Sequence, residues 1–132
     1  MEIISPLLSA QILCLALLAI LFLQSGLDKV FNYGGNKEWL IGHFAKSPLK
    51  GTVGILLPVI TILEVVSGVL CAIGLLTLLF SGNNELGILG AQLSGLSLLS
   101  LFFGQRLAQQ YEGAVDLIPY FLVTIATIYL LS

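Results

Sequence analysis

Charge is what this sequence has least of. Asp, Glu, Lys and Arg make up 9% of its 132 residues, against 58% hydrophobic, where soluble domains carry about 25% charged residues. One small soluble core could not hide that much apolar surface. The formal charge is −2, and no basic stretch is dense enough to hold nucleic acid. Histidine is nearly absent: His43 stands alone, which argues against haem ligation by paired histidines within the chain. Cysteine is scarce too. Cys14 and Cys71 form no CxxC, so thiol–disulfide exchange is unsupported, and both are expected as free thiols behaving as small apolar residues. No glycine-rich phosphate loop and no GxGxxG fingerprint occur, no metal site is expected, and a catalytic triad lacks its parts. The chain alone is poorly equipped for covalent chemistry.

What the sequence does have is long uncharged runs. Residues 3–27, 86–105 and 117–132 carry no charge, and 51–84 carry only Glu64. A hydrocarbon core of about 30 Å needs about 20 mostly apolar helical residues, so four spans fit at roughly 7–29, 53–79, 86–104 and 114–131. Helix is the state expected, because lipid-exposed strands or loops leave backbone groups unpaired, and no alternating ten-residue segments point to a barrel. The expected fold is an all-α, four-helix membrane bundle in one domain, 1–132. With Glu2 ahead of it and no basic segment before it, the first span does not read as a cleaved signal peptide.

The connections differ in length. "SGNNE" at 81–85 is a tight turn. The first connection, 30–52, holds "NKEWLIGHF", with Asn36 as an expected N-cap. Trp39, Leu40, His43 and Phe44 follow at helical spacing, giving a short amphipathic helix at the membrane surface with Trp39 as its anchor. "QRLAQQYEGA" at 105–114 reads as a polar extension of the third span with a turn at Gly113. All five basic residues, Lys29, Lys37, Lys46, Lys50 and Arg106, fall on the face that carries the first and third connections, here called side A. The positive-inside rule makes side A cytoplasmic and puts both termini outside.

Glu64 is the conspicuous residue. Counted from side A it lies 11 to 13 residues into its span, about 17–20 Å at 1.5 Å per residue. Thr61, Ser67, Gly68 and Cys71 share its helical stripe, so it is expected to face the bundle interior. A buried ionisable residue in a membrane span is a functional-site hypothesis by default; the plainer alternative is an acid that hydrogen-bonds a neighbouring helix. Lys29 is the nearest cation in sequence but counts as shallower, so Glu64 is expected neutral and hydrogen-bonded to Gln24, Tyr120 or water. Gln24, Asp28, Arg106, Asp116 and Tyr120 all lie toward side A. Together with Lys29 they suggest a polar pocket narrowing toward Glu64. Thr124 and Thr127 continue the stripe of the fourth span, or simply bond their own helix.

The third span reads as a packing face. Gly87 with Ala91, Gly90 with Ser94, and Ala91 with Gly95 recur at four-residue spacing, and small residues let helices approach closely in lipid. Gln92 is placed to bond across that contact or to enter the pocket. Pro58 and Pro119 are expected to bend their spans.

"FLQSGLDKVF" (22–31), the long first connection and "EVVSGVLCAIGL" (64–75) resemble the DoxX family of small bacterial membrane proteins. Gly26, Lys29, Glu64, Gly68 and Gly74 occupy the places of that family's short motifs, and the C-terminal "QRLAQQYEGAVDLIPYFLVTIATIYLL" is similar as well. The resemblance implies a four-helix bundle in the bacterial inner membrane. One branch of the family is a subunit of a thiosulfate:quinone oxidoreductase, and others are linked to redox stress systems; no established catalytic set comes with it. The expectation is therefore a subunit or accessory protein of a redox membrane complex. It carries no cofactor of its own, has room for a quinone, and has the bilayer and a membrane-protein complex as partners. The alternatives are a purely structural subunit and a small-solute carrier.

Overall fold

The computed structural model describes residues 5–132. Glu2, which enters the signal-peptide argument, lies outside them. Five helices are present among these residues: α1 (Pro6–Phe31), α2 (Tyr33–His43), α3 (Val53–Ser81), α4 (Glu85–Leu107) and α5 (Tyr111–Leu131). Four of them, α1, α3, α4 and α5, are long and apolar enough to cross a membrane. Their outward faces carry large side chains such as Ile20, Ile62, Leu96 and Leu122 in the open. In water that would be an aggregation hazard; in lipid it is the favourable arrangement.

The order of packing positions everything that follows. Helix α1 packs on α3, α3 on α4, α4 on α5, and α5 closes the ring on α1. Across the diagonals α1 touches α4 only lightly, and α3 and α5 do not meet. The core is filled by Leu15, Leu18 and Phe22 of α1, Cys71 and Leu78 of α3, Ala91 and Leu98 of α4, and Leu131 of α5.

The end of the bundle opposite side A, side B, is laced shut. Ser5 caps α1 by accepting from Leu8 N at 3.1 Å, with Pro6 entering the helix just behind it, where its missing N–H costs nothing. Gln11 Nε2 donates to Leu130 O at 2.8 Å, tying α1 to the end of α5. The α3–α4 turn passes through Gly82 at φ +70°, a conformation glycine adopts freely. Asn84 Nδ2 then reaches the Leu131 carbonyl.

Glycines set the two tightest contacts of α3. A Cβ on Gly74 would stand 2.5 Å from Gly87 Cα, and one on Gly90 would stand 2.7 Å from Cys71 N, so α3 and α4 touch backbone to backbone there. On its other flank, a Cβ on Gly68 would meet Leu23 N at 2.7 Å, and one on Gly26 would meet Val65 N at 3.0 Å. The face of α4 that carries Gly87, Gly90, Ala91, Ser94 and Gly95 is therefore turned into the bundle, against α3 and against Leu131 and Thr124 of α5.

Three local expectations are corrected. Helix α2 begins at Tyr33 rather than after Asn36. Asn36 sits inside it, its side-chain amide donating back to Asn32 O at 2.8 Å, so it serves the preceding turn instead of capping. The α4–α5 turn falls at Gln109, which takes φ +60°, and Gly113 lies within α5. Its smallness makes room for the Gln105 side chain, whose Nε2 would lie 2.8 Å from a Cβ there. Gln92 is exposed on the outer face of α4, because the small residues on the opposite face take the packing role.

Candidate functional site: an ion pair beside a side A cavity

The α1–α3 contact brings two distant charges together. Lys29 follows Gly26 by three residues, and Glu64 precedes Gly68 by four, so the glycines that let the antiparallel helices close up also put these side chains on the shared face. Lys29 Nζ lies 3.1 Å from Glu64 Oε2, an ion pair in which Glu64 is 0% and Lys29 16% exposed. Lys29 also donates to Ser25 Oγ at 2.9 Å. The partner of Glu64 is thus Lys29, and neither Gln24 nor Tyr120. Depth counting misses this because helical side chains lean toward the helix N-terminus. Lys29, near the side A end of α1, points back down into the bundle. Its position also suits a cation close to a helix C-terminus.

Around the carboxylate the hydroxyls are already committed. Thr61 donates to Leu57 O, Ser67 to Leu63 O, Ser94 to Gly90 O and Ser97 to Leu93 O. Ser67 and Ser97 approach across the α3–α4 contact at 3.3 Å. Thr124 and Thr127 bond their own helix in the same way, to Tyr120 O and Val123 O. Among the described residues Glu64 Oε1 has no hydrogen-bond partner.

Toward side A, α3 and α4 part, and a cavity of about 460 Å³ lies between them under α2. Its walls are apolar: Leu57, Ile60 and Leu63 from α3, Leu101 and Phe103 from α4, with Trp39 and Phe44 overhead. Few polar groups enter it, chiefly Lys29, Asn36, His43 and Gln105. Trp39 and His43 stack with ring centroids 4.5 Å apart. His43 Nε2 donates to Gln105 Oε1 at 2.8 Å; an amide oxygen only accepts, so that nitrogen carries the proton. Glu64 does not line the cavity and stands behind Lys29.

The other expected pocket residues lie elsewhere. Gln24 and Asp28 are on the outer surface of α1, with Asp28 Oδ2 accepting from Asn36 at 3.4 Å. Arg106 is exposed, its guanidinium 4.5 Å over the Tyr111 ring. Asp116 and Tyr120 are exposed on α5, whose backbone does not come close to α3, so they do not converge on the fully buried Glu64. In their place the structure gathers Ser25, Trp39, His43 and Gln105. The signals available in sequence are the i, i+4 spacings of Ser25 with Lys29 and of Trp39 with His43; nothing local foretells the pairing of His43 with Gln105, 62 residues on.

Four apolar helices with an ion pair between two of them define a multi-pass helical membrane protein. The DoxX family model matches residues 13–94, more than half of the chain, and the protein belongs to that family. The matched region includes Lys29 and Glu64 and the close approaches of α1 and α3 at Gly26 and Gly68. No curated protein and no solved structure matches the chain.

Proposed function

We propose that this protein is an accessory subunit of a redox complex in the bacterial inner membrane, and that its side A cavity holds the head of a quinone-type carrier. The observation that carries the reading is the cavity itself, apolar and aromatic-walled, with Lys29 among its lining residues. Binding sites for small organic molecules are mostly apolar with a few placed polar groups. Of the three ammonium protons, two serve Ser25 and Glu64. The third is free to donate to a ring carbonyl oxygen. Aromatic side chains give a flat ring something to lie against, and the cleft between α3 and α4 leaves room for a tail among lipid chains.

In this reading Lys29 touches the ligand and Glu64 positions Lys29. The carboxylate holds the ammonium at the edge of hydrocarbon, where an unpaired charge would be costly. A bound quinone supplies two-electron, two-proton chemistry, and its electrons come from a partner subunit. Helix α2, which has no buried residue, lies on the membrane surface as the roof of the cavity. Side A, with all the basic residues, faces the cytoplasm. The four long helices run unbroken, which gives little support to a carrier, where broken helices near the midplane are the usual sign.

One observation favours the structural alternative: the Lys29–Glu64 pair also braces α1 against α3. Purification in mild detergent, followed by partner identification and analysis of extracted quinones, separates the two. A redox partner with about one quinone per chain is expected, and filling the cavity by Leu57→Trp should remove the quinone while the partner stays. A large assembly with no quinone would leave the bracing role alone.

A further inference from the structure

Helix α4 presents an outward stripe of Leu89, Gln92, Leu96, Leu99, Phe103 and Arg106, all exposed. Their spacing alternates three and four, the a/d pattern by which helices pair along a seam. Every member but one is what lipid or the membrane border tolerates. Arg106 stands at the side A end and turns onto Tyr111 of α5. Gln92 is the exception. It is seven residues from Glu85 and fourteen from Arg106, hence about 10 Å and about 21 Å along the axis from the nearest charges of its helix. Its amide therefore lies in the hydrocarbon region, and it makes no hydrogen bond among the described residues. Gln24, the other outward glutamine of a span, is only four residues from Asp28, about 6 Å along the axis from a charge that marks the membrane border.

We infer that α4 is the contact between two copies of this chain, packed in parallel about a twofold axis with the two Gln92 side chains facing each other. Two copies inserted in one membrane share an orientation, so Gln92 meets its counterpart at the same depth. An amide carries both a donor NH2 and an acceptor oxygen, so a second identical amide satisfies each side, as neither an acyl chain nor a purely apolar helix can. Polar side chains that bond across helices are an established source of association in lipid, and a single polar residue in an otherwise apolar seam fixes register and partner number. Phe103 belongs to the stripe and also lines the cavity, so the twofold contact sets the two cavities on either side of one seam.

The full-length protein, carrying donor or acceptor fluorophores at the C-terminus, is reconstituted in liposomes over a range of protein-to-lipid ratios. Energy transfer should report reversible dimers. Gln92→Leu should weaken association roughly three- to thirty-fold, the span expected for one interhelical hydrogen bond in lipid, whereas Gln92→Asn, which keeps an amide, should retain much of it. Because Gln92 is exposed, the thermal melting of the Gln92→Leu monomer should match that of the parent. Leu96→Cys should cross-link under mild oxidation while Leu122→Cys on α5 does not. Monomers at every ratio would overturn the inference. So would dimers indifferent to Gln92→Leu, cross-links arising from α5, or a different protein seated on α4.

Discussion

Lys29 and Glu64 show how far a residue's reach can differ from its address. In a linear count Lys29 belongs to the interface and Glu64 to the interior, and only the backward lean of helical side chains joins them. That Glu64 faces inward is legible in sequence from the small and polar stripe of Thr61, Ser67, Gly68 and Cys71; which charge it meets is not, because that depends on how closely α1 and α3 approach. The pair makes a specific energetic prediction. Removing one member of a buried pair strands the other, so Glu64→Leu or Lys29→Met alone should cost about 3–5 kcal/mol, while the double variant should recover most of the loss. A double-mutant cycle on thermal unfolding in detergent checks this, and additive costs would refute it. Glu64→Gln keeps an acceptor for Lys29 but removes the counter-charge. If Glu64 positions Lys29 for a ligand, this variant should assemble with its partner yet lose activity of the complex; unchanged activity would leave only the brace. The cysteines carry a quieter prediction. Both are free thiols, Cys71 buried and Cys14 partly so. Replacing both by alanine should cost roughly 2 kcal/mol or less and leave assembly intact, with no bridge seen by mass analysis of the parent.

Whole elements were easier to foresee than the contacts between them. Long uncharged runs bounded by the few charges delimit α1, α3, α4 and α5, because in lipid a span has to be helical over the full hydrocarbon thickness. Helix α2 is harder to place in sequence: its start depends on an Asn36 side chain that turns back to Asn32, and its glycines sit inside the helix where a loop would be expected. The small-residue face of α4 is legible as a packing face; that it packs against α3 through Gly74 and Cys71 is known only from the fold. This contact yields a prediction of its own. Gly74→Val and Gly90→Leu push side-chain atoms into facing backbone, so each should destabilise the bundle by about 1–3 kcal/mol or more. Gly34→Ala, where nothing lies within 4 Å of the added carbon, should be nearly neutral. Thermal unfolding of the three variants side by side tests the ranking.

At the scale of the molecule, the decisive fact is the order of helices around the ring. Sequence patterning gives each helix an inward face but not its neighbours. The expected convergence of Asp116 and Tyr120 on Glu64 fails because α5 stands diagonally across from α3. Orientation in the membrane is predicted from the basic residues of side A. Single cysteines placed near Lys37 and Gln109 should be shielded from an impermeant thiol reagent in intact cells, and those near Ser81 and Ser132 should be labelled; the reverse pattern would invert the topology. The bundle also has an uneven mechanical character. At side B the backbones of α3 and α4 touch at Gly74 and Gly87, and the ends of α1, α4 and α5 are tied together by Gln11 and Asn84. At side A the same two helices stand apart. The α3–α4 contact continues from Gly74–Gly87 through Cys71–Gly90 to Ser67–Ser97, so only the last stretch of α4, from Ser97 to Gln105, about 12 Å, overhangs it. A rocking of about 5° at Ser97 would displace the far end by about 1 Å over that length, so the width of the cavity mouth depends on how firmly the two facing serines hold α4 to α3.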